Sequence, residues 1–369
     1  MITVIGAGAI GLAIAARLAK AAQVYILEKN DSFGLETSGR NSETIHAGIY
    51  YPEGSLKAVL CVAGNALLYE LCEQHGIAHR KTGKLIVATD SEEVAALEEL
   101  LERGRKNGAR DLGMLSAREL QGLEPNVQGV AAVSSPSSGV VDSRALMKFY
   151  LATARDRGAE IAYRSRVIGI ERVVDGYMVS VQDDTGIHRF GTELLVNCAG
   201  LHSDEVAEFA GIDPDEAGYR LHYCKGEYFS VASPKSKLVE RLIYPVPTPG
   251  TGGVGIHTVL DIEGRMRLGP SARYVDEIDY GVDDSQQGVF YDSVKGLLPF
   301  IEQDDLAPDM AGIRPKLAGP GEGFRDFVIR HEADRGLPGL INLVGIESPG
   351  LTGSPAIAEY VGSMVEEIL

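Results

Sequence analysis

The sequence predicts an α/β fold, α+β overall, in which a discontinuous parallel-sheet domain carries an inserted domain built on an antiparallel sheet. The chain opens with a strand–helix–strand pattern at residues 2–28. Two further apolar runs that end in glycine, 194–200 and 340–345, read as buried parallel strands of the same sheet. From 219 to about 310 the apolar runs are short and interrupted by proline and glycine, which is typical of antiparallel strands.

The opening pattern is that of a Rossmann-like dinucleotide-binding unit. A strand at 2–5 is followed by the glycine motif at 6–11, an alanine-rich helix over about 12–21, and a second strand at 24–27 that ends on Glu28. A glycine motif alone is a weak signal. Strand, turn, helix, strand and acid in this order make a specific one.

Each feature of that unit has a separate physical role. Gly6 permits the tight turn, Gly8 lets a pyrophosphate approach the backbone, and Gly11 lets the helix pack closely on the strand. The helix N-terminus favours phosphate, and Glu28 can accept hydrogen bonds from an adenosine ribose. The stretch Gly250–Gly255 has the same glycine spacing, but prolines precede it and no helix follows, so we interpret it as a hairpin loop. The sequence therefore predicts a single dinucleotide site.

Composition excludes several classes of function. The formal charge of −17 and the absence of a basic cluster argue against a nucleic-acid partner. No apolar run is long enough for a transmembrane segment, and the chain starts directly in a strand with no signal-peptide pattern. The four cysteines show no CxxC pairing, so we expect reduced thiols, no metal site and a cytoplasmic location, with membrane association left open.

The remaining patterns divide the chain into two predicted domains. A polar, glycine-rich loop at 37–48 follows the first unit, and loops of this kind are usually functional. Helices are expected from about 56 to 76 and, after the capping Asp142, from 143 to about 157. The nucleotide-binding domain is assigned residues 1–82, 142–215 and 312–369, and the substrate-binding domain residues 83–141 and 216–311.

Three side chains are candidates for the chemistry of the site. His46 lies on the polar loop, where a neutral histidine can take a hydroxyl proton during oxidation; a structural histidine bonded to backbone is the alternative. His257 is a second candidate base, in a predicted strand where a packed structural role is common. Arg314 suits bidentate capture of a carboxylate, with a structural ion pair as the alternative. A last helix, predicted to begin at about Ser354, is expected to stabilise negative charge on a reduced cofactor ring through its N-terminus.

Longer blocks of the sequence resemble a known family. The opening unit, the strand that ends Asn197-Cys198-Ala199-Gly200, and the glycine loop before the last helix resemble the FAD-dependent family of D-amino-acid oxidases and glycerol-3-phosphate dehydrogenases. Within it, Asn41-Ser42 with Ile45–Tyr51, and the stretches Gly83–Ala88 and Ile243–Pro247, are similar to L-2-hydroxyglutarate dehydrogenases (oxidases). The resemblance covers nearly the whole chain.

The resemblance implies noncovalently bound FAD, and it implies oxidation of a 2-hydroxy acid, with L-2-hydroxyglutarate as the expected substrate. It implies that His46 is the base and that Arg314 holds the C1 carboxylate. The electron acceptor is left open between oxygen, a quinone and an electron-transfer protein. The expected cofactor-binding residues are Gly6, Gly8, Gly11, Glu28, Lys29, Thr37, Ser38, Arg40, Asn41, Ser42, Val167, Ala199, Gly200, Gly345, Gly350, Leu351 and Thr352.

Two other functions stay open on the sequence alone. One is an FAD-dependent oxidase of amines or amino acids such as glycine, sarcosine or a D-amino acid. The other is a nicotinamide dehydrogenase, or a nucleotide-binding protein without turnover. The chain also departs from the family pattern at Glu43, where the family usually has glycine, and at Pro315-Lys316, where it usually has Ala-Gln. We expect these positions to affect which distal group of a substrate is accepted, and Glu43, if near the flavin ring, to raise the pKa of His46.

Overall fold

A computed structural model describes residues 1–247 and 254–369 of the chain. Most of the predicted hairpin loop at Gly250–Gly255 lies outside the described residues. The α-helices of the described part are α1 (Ala9–Leu18), α2 (Leu56–His75), α3 (Val94–Lys106), α4 (Ala117–Leu123), α5 (Ser143–Asp156), α6 (Ser203–Phe209), α7 (Pro214–Ala217), α8 (Gln287–Val294) and α9 (Gly350–Ile368).

The strands alternate with these helices in the first part of the chain and dominate its middle. They are β1 (Ile2–Ile5), β2 (Val24–Leu27), β3 (Thr44–Ile45), β4 (His79–Arg80), β5 (Lys84–Ala88), β6 (Gly113–Ser116), β7 (Ala131–Ser135), β8 (Gly139–Val141), β9 (Glu160–Ala162), β10 (Arg166–Val173), β11 (Gly176–Asp183), β12 (Gly186–Thr192), β13 (Leu194–Asn197), β14 (His222–Val231), β15 (Leu242–Pro245), β16 (His257–Leu260), β17 (Met266–Gly269), β18 (Arg273–Val275), β19 (Leu306–Lys316), β20 (Val328–His331) and β21 (Leu340–Val344).

A six-stranded sheet joins segments from both ends of the chain, as the sequence predicts. Its order is β20-β21-β13-β1-β2-β9, and all neighbours are parallel except the edge strand β20. Ile5, the last residue of β1, is level with Asn197 of β13 and Leu27 of β2. The carboxyl ends of these strands therefore meet at one edge, next to the glycine turn, where such sheets bind their ligands.

Helices α1, α2, α5 and α9 cover one face of this sheet and bury its largest hydrophobic core. Two of the predicted helix starts were wrong. Helix α1 begins at Ala9 instead of Leu12, with Gly8 at its N-cap. Helix α9 begins at Gly350 instead of Ser354, which is buried in the second turn.

Close packing between α2 and α9 explains the early start of α9. A Cβ added to Gly64 would lie 2.6 Å from the Cα of Gly353, so the two helix backbones nearly touch there. Glycine and threonine are poor helix formers, which made residues 350–353 read as a loop. Tertiary packing overrides that local preference. The hydroxyl of Ser354 pairs instead with that of Tyr150, at 3.1 Å.

The antiparallel part of the molecule also follows the prediction, with one difference. Strands β10–β12 form an antiparallel meander against the other face of the six-stranded sheet. Strand β14 pairs antiparallel with β17, β18 and β19. The difference is β15, which runs parallel to β5 in a separate four-stranded sheet. The assigned domain boundaries stay a prediction.

None of the helices in the described part of the chain combines the length and the apolar character needed to cross a bilayer. All four cysteines are free, and three of them are buried. Cys61 and Cys72 lie on α2, as the helical spacing predicts.

Candidate active site

Two connected cavities follow the carboxyl edge of the six-stranded sheet. The first cavity holds about 980 Å³ and the second about 1000 Å³, the solvent at their mouths included. They share the lining residues Ile10, Thr37, Ser38 and Ile346, so together they form one elongated groove.

The groove gathers most of the residues that the sequence singles out. The first cavity is lined by Gly6, Gly8, Glu28, Lys29, Thr37, Ser38, Val167, Ala199 and Gly200. The second is lined by Thr37, Ser38, Arg40, Asn41, Ser42, His46, His257, Arg314, Gly350, Leu351 and Thr352. Gly11 and Gly345 line neither of these cavities.

The glycine turn of the first cavity has the geometry that its motif requires. Gly6 has φ +102°, which disfavours any residue with a side chain. A Cβ on Gly8 would lie 2.8 Å from the Ser38 hydroxyl oxygen, and that hydroxyl already accepts a hydrogen bond from the Ala9 amide at 2.9 Å. A Cβ on Gly11 would collide with the carbonyl oxygen of Gly6. Each glycine therefore leaves room for a close neighbour at its own position.

Glu28 is fixed by backbone and side-chain donors at the tip of β2. Its Oε2 accepts from the Ala7 amide at 2.8 Å, and its Oε1 accepts from the Asn30 amide at 2.8 Å and side-chain amide at 2.9 Å. The carboxylate is only 6% exposed and lines the first cavity. Its ribose-binding role stays a prediction.

A small ionic cluster closes the side of the first cavity. Lys29 Nζ donates to Glu36 at 2.6 Å and to His202 Nε2 at 2.9 Å. Burial alone would raise the pKa of Glu36, but hydrogen bonds from His202 and Lys29 lower it. Lys29 was predicted to bind cofactor; here its ammonium is engaged by protein groups, and a role toward the cofactor stays a prediction.

His46 lies where the second cavity meets the start of α9. Its backbone amide donates to the Thr352 hydroxyl at 3.0 Å, and its carbonyl accepts from the Asn65 side chain at 2.9 Å. The ring Nε2 lies 3.2 Å from the Ser348 hydroxyl, which lines the cavity, whereas Nδ1 is buried without a hydrogen-bond partner. Burial, then the charges of Lys84 and His257, hold the pKa of His46 well below its usual range. The imidazole is therefore neutral near pH 7.

His257 lies in the same cavity and stacks on Tyr244, with ring centroids 3.6 Å apart. Its Nδ1 donates to the Gly255 carbonyl at 2.7 Å, which leaves Nε2 as the acceptor nitrogen. Burial lowers the pKa of His257 to about 3. The sequence alternative, a packed histidine, describes part of this environment, but the ring also faces the cavity.

Lys84 is buried beside these histidines, and the sequence analysis did not assign it a role. Its ammonium lies 3.9 Å from the Tyr244 ring centroid and 5.4 Å from that of Tyr50. The side chain is 1% exposed, and no carboxylate of the described residues lies within ion-pair distance. Burial lowers the pKa of Lys84 to about 7. The sequence did hold a signal for such a role, because Lys84 begins an otherwise apolar strand.

Arg314 projects from β19 into the second cavity. Its Nη2 donates to the Ser271 carbonyl at 2.7 Å, and its Nε lies 3.5 Å from the Cys224 carbonyl. Within the described part of the chain, no carboxylate lies within ion-pair distance of its guanidinium. The predicted alternative, a structural ion pair, is thus not what holds it. Its charge is available to an anion in the cavity.

Glu347 also lines the second cavity, but its charge is balanced by two lysines. It accepts from Lys57 Nζ at 2.9 Å and lies 3.7 Å from Lys316 Nζ. Burial alone would raise the pKa of Glu347, but these cations lower it. Lys316, one of the two departures from the family pattern, therefore acts on the cavity through Glu347.

Glu43 does not act on the histidine as expected. Its carboxylate accepts from the Ser143 amide at 3.1 Å and the Ser143 hydroxyl at 2.7 Å, at the start of α5. The groups that shift the pKa of His46 do not include it, and the shift is downward. Glu43 has φ +55°, the conformation for which glycine is the ordinary choice. The predicted upward shift was wrong because the carboxylate binds a helix terminus instead.

Several other residues of the second cavity were missed from the sequence. Tyr228 and Tyr244 supply its aromatic walls, and Glu347 and Ser348 approach it from the turn before α9. These side chains come from distant segments, so no local spacing could have grouped them. The helix terminus at this cavity is that of Gly350, with Thr352 bonded to both Thr44 and His46, and not that of Ser354.

Comparison with known proteins agrees with this geometry. The FAD dependent oxidoreductase family model matches residues 1–364. The chain is 37% identical to the mitochondrial L-2-hydroxyglutarate dehydrogenase of Arabidopsis thaliana, over 98% of this chain and 82% of that protein. It is 30% identical to the L-2-hydroxyglutarate dehydrogenase of Indibacter alkaliphilus, over 98% and 97% of the two chains.

Solved structures show the same fold. The L-alpha-glycerophosphate oxidase of Mycoplasma pneumoniae with FAD bound has a TM-score of 0.87 and 27% identity, covering 99% of this chain and 94% of that one. Glycine oxidase from Geobacillus kaustophilus has a TM-score of 0.79 at 22% identity, covering 99% and 94%, and shares the fold alone. The resemblance read from the sequence is confirmed: the chain belongs to the FAD-dependent oxidoreductase family, and FAD is its cofactor.

Proposed function

We propose that this enzyme oxidises a 2-hydroxy acid, L-2-hydroxyglutarate, to 2-oxoglutarate. One observation supports it most: a guanidinium without an acidic partner and a neutral histidine face the same cavity, from Arg314 and His46. A 2-hydroxy acid offers both a carboxylate and a hydroxyl proton on adjacent carbons. The relatives named L-2-hydroxyglutarate dehydrogenase, at 37% and 30% identity over almost the whole chain, suggest the particular acid.

The residues of the groove fit FAD. The first cavity suits the ADP half, because Gly6 and Gly8 expose backbone and Gly8 leaves a space beside Ser38 that a Cβ would fill. The N-terminus of α1 opens onto the groove and favours the pyrophosphate. Thr37, Ser38 and the first turn of α9 continue the lining into the second cavity, which suits the ring. Bound FAD supplies the acceptor for the hydride that leaves the hydroxyl-bearing carbon.

His46 acts in this proposal as the general base. The proton of the substrate hydroxyl moves to Nε2, the nitrogen beside Ser348, so the ring must start as the tautomer with its hydrogen on Nδ1. Burial and the nearby Lys84 charge keep the ring neutral and ready to accept. A positioned base contributes about 10² to 10⁴ in rate.

Arg314 holds the carboxylate next to the reacting carbon. Its guanidinium is oriented by two backbone carbonyls, which fix its direction without neutralising its charge. A bidentate bond to a planar carboxylate then sets the position of the substrate. The hydroxyl group is thereby directed toward the histidine side of the cavity.

Anaerobic flavin bleaching with a panel of 2-hydroxy and 2-amino acids tests the proposal. We expect fast bleaching by L-2-hydroxyglutarate and slow or no bleaching by glycine, sarcosine and D-amino acids. Bleaching by an amino acid alone would favour the amine-oxidase alternative instead.

The electron acceptor and the compartment belong to the same proposal. We propose oxygen, a quinone or an electron-transfer protein as the acceptor, because the sequence has one dinucleotide motif in a strand–helix context. Reduced enzyme mixed with NAD⁺ should therefore form NADH negligibly slowly. A cytoplasmic location is supported by four thiols that are all free.

A further inference from the structure

Arg40 was predicted to bind the cofactor, but the residue lines the second cavity together with Arg314, Tyr228 and Gly312. It is absent from the lining of the first cavity. The chain has 52 acidic residues, so an arginine without an acidic partner is informative. Among residues 1–247 and 254–369, no carboxylate lies within ion-pair distance of Arg40 or of Arg314.

Neutral groups hold both guanidiniums in place. The Cζ of Arg40 lies 4.2 Å from the ring centroid of Tyr280, whose hydroxyl is buried without a hydrogen-bond partner. Arg314 is held by the carbonyls of Ser271 and Cys224. Stacking on a ring orients a guanidinium and leaves its N–H donors free to bind an anion.

A pair of glycines contacts both arginines. Gly226 of β14 and Gly312 of β19 are direct partners in the antiparallel sheet and both line the cavity. A Cβ on Gly312 would collide with the Arg40 carbonyl oxygen and lie 3.4 Å from the Arg40 Cβ, and one on Gly226 would lie 3.4 Å from Nη2 of Arg314. Paired Cα atoms in such a sheet are about 5 Å apart. The main chain and Cβ of Arg40 therefore lie against one glycine of the pair, and the guanidinium of Arg314 lies against the other.

Two acidic groups whose charges act on Arg314 or on Tyr280 are already paired with lysines. Glu347 is bonded to Lys57 and lies 3.7 Å from Lys316. Glu36, whose charge acts on Tyr280, is bonded to Lys29. Two arginines that line one cavity, each without a carboxylate partner, favour an anion in that cavity. A ligand with two carboxylates satisfies both.

We propose that Arg40 binds the distal carboxylate of a dicarboxylate 2-hydroxy acid while Arg314 binds the carboxylate beside the reacting carbon. The inference rests on the proposed function, and it makes Arg40 the residue that selects dicarboxylates. A monocarboxylate of the same shape leaves the Arg40 charge without a partner, and sites of this kind reject such analogues strongly.

The test compares L-2-hydroxyglutarate with its neutral distal amide, which keeps the shape and loses the charge. In the wild type we expect kcat/KM for the acid to exceed that for the amide by about 10- to 100-fold, the value of a charged hydrogen bond. Arg40→Met should lower kcat/KM for the acid by most of this roughly 10- to 100-fold factor, and it should lower kcat/KM for the amide far less. Arg40→Lys keeps the charge but not the bidentate geometry of the guanidinium. Its kcat/KM for the acid should lie between that of the wild type and that of Arg40→Met. An equal loss for both substrates would overturn the proposal.

A binding measurement separates this inference from the proposed reaction and from a cofactor role. Glutarate and butyrate are titrated into holoenzyme, and binding is followed by the change in the flavin spectrum. We expect glutarate to bind more tightly than butyrate in the wild type and to lose that advantage in Arg40→Met. If the wild type shows this preference but does not turn over L-2-hydroxyglutarate, the proposed function fails and the Arg40 assignment stands. If Arg40→Met instead loses FAD on dilution while the glutarate preference persists in the remaining holoenzyme, Arg40 serves the cofactor and the inference is wrong.

Discussion

The two halves of the groove hold polar groups in opposite ways. In the first cavity the charged side chains are paired with protein: Glu28 with the amides of Ala7 and Asn30, and Lys29 with Glu36 and His202. In the second cavity Arg40 and Arg314 are held by neutral groups, and Nε2 of His46, the proposed proton acceptor, lies beside the Ser348 hydroxyl. In the first cavity the hydrogen-bonding groups are largely satisfied by the protein itself. In the second cavity positive charge and a proton acceptor are left for the ligand.

The largest expected effect concerns the backbone cradle of the first cavity. Gly8→Val should yield protein that lacks FAD and activity, because even a Cβ at this position reaches within 2.8 Å of the Ser38 hydroxyl. The flavin-to-protein absorbance ratio after purification measures this. Gly191→Val is the matched control, since a Cβ there meets no atom within 4 Å and valine suits a strand. Full flavin occupancy in Gly8→Val would show that the ADP half lies elsewhere.

The next effect separates the base from the rest of the second cavity. His46→Ala should lower the limiting rate of flavin reduction by about 10² to 10⁴ while substrate affinity changes little. Stopped-flow reduction with L-2-hydroxyglutarate gives both quantities. His188→Ala, on the exposed meander, serves as the control. Should His46→Ala reduce flavin at the wild-type rate, the base lies elsewhere, and His257 becomes the first residue to test.

Arg314 should affect binding more than chemistry. Carboxylate capture is common to the ground state and the transition state, so Arg314→Ala should mainly raise KM, by about 10- to 100-fold, with a smaller change in kcat. Steady-state kinetics with a natural acceptor or a dye measures the split. A fall in kcat alone, with KM unchanged, would contradict a role for Arg314 in binding the ground state and the transition state equally.

Removing the charge of Lys84 should change the pH dependence of flavin reduction. Its positive charge lowers the pKa of His46, so Lys84→Met should move the acid limb of the pH profile for flavin reduction to higher pH. Stopped-flow rates between pH 5 and 8 measure the shift. An unchanged acid limb would show that the two groups are not coupled.

The same substitution has a predicted signature in stability. The pKa of Lys84 is about 7 in the folded protein and about 10.4 in an unfolded chain, so between these values the unfolded state binds more protons and stability rises with pH. Below pH 7 the folded state carries the full cost of the buried charge. Lys84→Met should therefore be more stable than the wild type by a few kcal/mol below pH 7, and the difference should shrink toward pH 10. Chemical denaturation at several pH values checks this.

The smallest effect is expected at Glu43. Glycine there removes the strain of φ +55°, but it also removes two hydrogen bonds to Ser143, each change being worth about 1 kcal/mol. Glu43→Gly should therefore change stability by less than about 1 kcal/mol and leave the acid limb of the pH profile unmoved. A shift of that limb would return Glu43 to the active site.

The two cavities also differ in how far the sequence could predict them. The glycine turn, Glu28 and the parallel strands near residues 2–5, 24–27, 194–200 and 340–345 are indicated by local pattern, and the structure confirms these strands in one sheet. The side chains of the polar loop are a different case. Arg40 and Glu43 are three residues apart, yet one is oriented by Tyr280 and the other by Ser143. No spacing within the loop contains that information, because partners distant in sequence supply it.

The start of α9 teaches the same lesson at the level of the backbone. Residues 350–353 have poor helix propensity, yet they form a helical turn that packs closely against Gly64 of α2. Helix ends that depend on a distant contact are where local prediction fails, and here the end in question opens onto the second cavity.

The order of strands in the six-stranded sheet has a consequence for how the protein folds during its synthesis. Strand β1 is synthesised well before one of its neighbours, at residues 194–197, and before the next strand out, at residues 340–344. Contacts between such distant segments close slowly, and the intermediate chain exposes unpaired strand edges in the meantime. The cradle for the ADP half thus cannot be complete on the ribosome until most of the chain has emerged. FAD should accordingly bind late in folding, after the six-stranded sheet has formed.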